Sequence, residues 1–177
     1  VTPLFAKVRF GQWQAILQTP EPAADLPYMR AIWHYAQGIA ALRTGDAKAA
    51  ERHHVALLAL VDDPTIAAMK VWQRYSLKHG VAVAERTLAA ELAWTKNNPD
   101  AAIAALQQAI LVEDKLPYDE PPAWHAPVRQ SLGAMLLEAG QAAEAEQAYR
   151  QELQRNPENG WSLFGLQQAL QMQGKTA

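Results

Sequence analysis

Four glycines set the frame of this chain of 177 residues. Gly11 and Gly45 lie 34 residues apart, and so do Gly140 and Gly174. Between the pairs, Asn97 stands in Thr95-Lys96-Asn97-Asn98-Pro99-Asp100, where a further turn of the same kind belongs. The gaps around Asn97 are 52 and 43 residues, one period plus 18 and one period plus 9. A period near 34, with apolar residues recurring every three to four positions on both sides of each turn, predicts stacked two-helix units. Such units cannot bury their apolar faces alone. The architecture therefore points to a binding scaffold before any residue is read as a catalyst.

No segment shows sustained strand-like alternation, so the expected class is all-α. The boundaries follow from breakers and caps. The spacing predicts a helix over Thr2–Phe10, a short one after Gly11 ending near Gln18, and a linker fixed by Pro20, Pro22 and Pro27. A helix then runs from Pro27 to Arg43, and another from Ala47 to Val61, with Asp46 as its cap. Asp62-Asp63-Pro64 opens an extra helix over Thr65–Lys78, stopped by His79-Gly80, which accounts for the excess of 18. Helices over Val81–Lys96, Pro99–Lys115, a stretch ending near Ala139, Ala142–Arg155 and Glu158–Gln173 complete the set. The second excess is the proline-rich insertion from Leu116 to Trp124.

Composition narrows the function classes. The net charge is −2, from 16 basic and 18 acidic residues, without a basic cluster, so no nucleic-acid partner is expected. Without cysteine, disulfides and thiolate chemistry are excluded. No apolar run reaches the roughly 18 residues of a membrane span. The first residue is Val1 and both ends fall within a unit of the repeat, so a single domain over 1–177, cut from a longer repeat protein, is expected.

The segment Val128–Pro157 carries Leu132-Gly133, Leu136, Gly140, Ala145, Tyr149 and Pro157. At these spacings it resembles the tetratricopeptide repeat (TPR) family. Gly38, Gly45 and Ala50 fit the same frame, as do Ala90, Ala102, Leu106 and Ala109. Small residues stand where the two helices of a pair cross, and a bulky one a turn later fills the gap to the next helix. Three positions depart from the pattern. His34 and Arg129 stand where tryptophan is common, and Glu152 replaces a small residue. The segments Leu116-Pro117-Tyr118, Glu120-Pro121-Pro122, Pro127–Gly133 and Asn156–Trp161 look similar to the C-terminal part of large, poorly characterised bacterial proteins of this family. That resemblance implies a bacterial origin and favours export to the periplasm over the cytoplasm.

The resemblance implies a TPR-like solenoid whose first helices line a concave groove that takes a peptide or partner protein. Carried onto this chain, groove residues are Tyr35, Ile39 and Arg43; Thr87, Glu91 and Trp94; Gln130, Ala134 and Glu138; and Phe164 and Gln168. Aromatics there supply contact area and isolated charges set register. The plain alternative is that Tyr35, Trp94 and Phe164 only pack the stack. Some members hold a terminal carboxylate with a lysine and an asparagine one turn apart. The equivalent pairs here, from Tyr35/Ile39 to Phe164/Gln168, cannot do so. A rival role is self-assembly, as in a homodimer, through the apolar last helix with Trp161, Leu163, Phe164, Leu166 and Leu170.

The insertion offers Tyr118, Trp124 and His125 as candidate rim or ligand contacts, against the simpler role of plugging the stack. Among the five histidines, no pair stands at i, i+4, and the adjacent His53 and His54 point about 100° apart, so no metal is expected. His79 is read as a charge at a helix C-terminus. No phosphate loop, nucleophile elbow or metal motif is present, so neither catalysis nor a cofactor is expected.

Overall fold

The computed structural model describes residues 1–120 and 122–175; Pro121 of the insertion and the terminal Thr176-Ala177 lie outside the described residues. The described residues form ten helices and one two-stranded hairpin. The helices are α1 (Thr2–Arg9), α2 (Trp13–Leu17), α3 (Pro27–Arg43), α4 (Ala47–Leu58), α5 (Pro64–Ala68), α6 (Lys78–Thr95), α7 (Pro99–Glu113), α8 (Val128–Glu138), α9 (Ala142–Arg155) and α10 (Gly160–Met172). No helix is long and apolar enough to cross a membrane.

The turns use the chemistry that the sequence provides. Gly11, Gly45, Gly140 and Gly174 all have positive φ, and Asn97 takes the same left-handed conformation at 57°. The side chain of Asp46 accepts from the Ala49 amide at 2.9 Å, and that of Asn98 from the Ala101 amide at 3.2 Å. Apart from α5, neighbouring helices in the chain pack on one another, and α3 lies against both α1 and α6, as α8 does against α10. One continuous core runs from Ala31 to Ala169.

Close helix crossings depend on missing side chains. A Cβ at Gly38 would lie 2.6 Å from Leu88 Cδ2, and one at Gly133 would lie 2.5 Å from Tyr149 Cζ. Gly165, on α10, faces the same tyrosine ring near its hydroxyl end. Tyr149 of α9 thus fills a slot bounded by glycines of α8 and α10.

Two predicted elements are corrected. The extra helix over Thr65–Lys78 is in fact the five-residue α5 followed by a hairpin, β1 (Lys70–Val71) and β2 (Tyr75–Ser76), paired Lys70 with Ser76 and Val71 with Tyr75. Asp63 caps α5 from Thr65 and Ile66, and Trp72 and Gln73 turn the chain with φ of 49° and 58°. His79 and Gly80 do not stop a helix: they lie in the first turn of α6, where His79 Nδ1 is 3.0 Å from the Ser76 carbonyl. The last helix starts at Gly160, capped by Asn159, because Glu158 adopts a φ of 63° that a helix cannot contain.

Candidate functional site

Of the predicted groove residues, some pair across helices and others are buried. Arg43 of α3 makes a two-pronged ion pair with Glu91 of α6, both bonds at 2.8 Å, and Glu138 of α8 lies within electrostatic reach of it. Gln130 of α8 bridges outward, donating to Ser162 Oγ of α10 at 3.2 Å and accepting from Arg9 of α1 at 2.9 Å. The Arg9 guanidinium also sits 4.6 Å from the ring centre of Trp161. Residues of the first and the last helix therefore meet around the inner face.

Tyr35, Ile39 and Thr87 are buried and cannot touch a partner as drawn from the sequence. For Tyr35 the cause is the insertion. Trp124, itself buried, packs edge-on against Tyr35 at 5.2 Å and against Phe5 of α1 at 5.4 Å. His125 stacks on Phe5 at 4.6 Å, and its Nε2 lies 3.3 Å from the Tyr35 hydroxyl. Thr87 is further satisfied by its own helix, donating to the Val83 carbonyl at 2.8 Å. Trp94 is half-buried, whereas Ala134, Glu138, Phe164 and Gln168 are exposed. The exposed residues of the predicted set thus lie on α8 and α10.

The insertion also roofs a cavity of about 470 Å³ over α7, α8 and α9. Tyr118, Trp124 and His125 line it, so all three rim candidates belong to one site. Sequence reasoning did not assign Arg9, Glu113, Arg129, Glu152 or Arg155 to it. Two of these, Arg129 and Glu152, are positions where the chain departs from the repeat pattern, and that departure was the available signal. The third departure, His34, is satisfied elsewhere: its Nδ1 lies 3.0 Å from Nδ1 of His53, beside Trp33.

The polar walls of the cavity are largely fixed. The Arg129 guanidinium grips both oxygens of Asp114 at 2.7 Å, and Arg155 joins the same carboxylate. Oε1 of Glu152 accepts from the Asn156 side chain at 2.9 Å and from Asn159 at 3.5 Å. Glu113 receives the Val128 amide at 3.1 Å and 3.2 Å, capping α8 in place of a side chain from the residue before it. Burial drives Glu113 up to about 7, and it drives His125 down to about 4, with the charge of Arg9 adding to the effect. A second recess of about 490 Å³, mostly apolar, lies between α1, the hairpin and the insertion; Phe10 and Trp72 stand exposed along it.

Among the described residues, no three histidine or acidic groups cluster as potential metal ligands. His53 faces His34, while the neighbouring His54 pairs with Glu85 at 2.8 Å. No family model, curated protein or solved structure matches the chain.

Proposed function

We propose that this chain is a TPR-like helical-repeat module that binds a partner protein through the open, C-terminal part of its inner face. The observation that carries this reading is the strip on α8 and α10. Glu138 of α8 presents an exposed charge there, and α10 presents Phe164, which is 60% exposed, and Gln168. An exposed ring beside isolated polar groups supplies area and register together. The Arg43–Glu91 pair and Trp94 extend the strip toward α3 and α6.

A second reading rests on the same helix. Trp161, Leu163, Phe164 and Met172 of α10 are each about half exposed or more, a concentration of apolar surface that suits a second copy of the chain.

One experiment separates these outcomes. A photo-crosslinking residue is placed at Gln168, with a control at Gln107 on the outer face of α7, in cells that express the chain. Partner binding yields a crosslinked protein at Gln168 that is absent at Gln107 and lost when Phe164 is changed to Asp. A crosslinked dimer of the chain itself supports self-association. Identical products from both positions contradict both readings.

A further inference from the structure

Among the described residues, the most exposed large apolar side chains are Trp72 at 80%, Tyr118 at 79% and Phe10 at 72%. All three belong to one neighbourhood. Trp72 and Phe10 line the 490 Å³ recess between the hairpin and α1. Arg74, two residues past Trp72, donates to the Tyr118 carbonyl at 2.9 Å and so ties the hairpin to the insertion. Single exposed apolar residues are ordinary, but three rings around one hairpin mark a contact surface.

The backbone adds to this. Trp72 and Gln73 make the turn at φ of 49° and 58°, a region that glycine or asparagine enters more easily than a bulky residue. The turn thus keeps a tryptophan at its tip against that residue's preference, with little packing in return.

Charge narrows the partner. From Pro64 to Ala84 the chain carries Lys70, Arg74 and Lys78 and no acidic residue, within a protein of net charge −2. All three basic residues are exposed. Arg9, Asp119 and Glu120 add the charges along the recess, so four basic side chains stand against two acidic ones. Both acids are already engaged. Asp119 accepts from the Tyr75 hydroxyl at 2.8 Å and lies 3.8 Å from Arg74, and Glu120 accepts from the Tyr118 hydroxyl. Lys70 and Lys78 make no ion pair among the described residues. Tryptophan and tyrosine rings settle at the headgroup level of a bilayer, and lysines beside them reach its phosphates.

We propose that the hairpin tip, with Phe10 and Tyr118 beside it, docks on an anionic lipid surface. The rings enter the headgroup layer, and Lys70 and Lys78 meet the lipid phosphates. The patch shares no residue with the partner-binding strip, so either assignment can fail without the other.

The test is flotation of the whole chain with vesicles of phosphatidylcholine alone and of phosphatidylcholine mixed with phosphatidylglycerol. The chain is expected to rise with the mixed vesicles, to bind the neutral ones at least about tenfold more weakly, and to be released by salt. Lys70→Gln and Lys78→Gln should each weaken binding about fivefold, and Trp72→Ser at least about as much. These positions are exposed, so melting temperatures should match that of the parent, which circular dichroism checks. Polyglutamate, a soluble acidic chain, is offered in parallel. Retention on polyglutamate without flotation would assign the patch to an acidic protein and overturn the proposal. So would failure to float with the mixed vesicles, or flotation that Trp72→Ser or the two lysine changes together leave unaltered.

Discussion

Tyr149 shows how single residues hold the layers at their spacing. Its ring is nearly fully buried and lies against two helix positions that have no Cβ, Gly133 and Gly165. A methyl group at Gly165 has no room, because the nearest atoms are those of the ring itself and of its hydroxyl. Gly165→Ala should therefore destabilise the chain by about 1–3 kcal/mol, the usual range for overpacking. Tyr149→Leu in the same chain should recover part of that loss by withdrawing the ring end. Chemical denaturation of the parent and these two variants checks this, and equal losses with and without the second change would count against the slot. The sequence signalled this site well, since Gly133 and Tyr149 stand at repeat spacings. The partnership with Gly165 did not follow from spacing, as it depends on how α10 lies across α9.

At the scale of elements, α8 begins without a side-chain cap of its own and takes one from the far end of α7. Glu113 is therefore both a cap and a buried acid. Its folded pKa stands near 7, above the ordinary 4.5. A raised acid favours the fold while protonated, so its contribution is complete below about 4.5 and is lost as the pH rises through about 7. Glu113→Gln keeps an acceptor for the Val128 amide and removes the charge. Its melting temperature should exceed that of the parent at pH 8, and the difference should close toward pH 4.5. A difference constant across that range would contradict the assignment. Most elements were legible in the sequence, because glycine or Asn97 at left-handed positions and Asp46 or Asn98 at caps are local signals. The hairpin was not. Its strands are two residues each, too short for any period, and Trp72-Gln73 lacks the glycine that usually marks such a turn.

At the scale of the molecule, the decisive contact joins parts of the chain some 90 residues apart. Phe5, Tyr35, Trp124 and His125 bring α1, α3 and the insertion together over the inner face. Nothing in the insertion's own sequence states where it docks, so Tyr35 reads as a groove residue although it is covered. The cavity had a fainter trace: Arg129 and Glu152 broke the repeat pattern, but only the fold shows that they share a wall with His125.

The account turns on the insertion being fixed to α3, since that covers Tyr35 and roofs the cavity. A double-mutant cycle on Tyr35→Leu and Trp124→Leu, read by denaturant unfolding, measures that contact directly. Edge-to-face aromatic packing predicts a coupling of about 0.5–1.5 kcal/mol between the two sites. Losses that add with no coupling beyond experimental error would mean that the insertion does not rest on α3, and Tyr35 would then be uncovered.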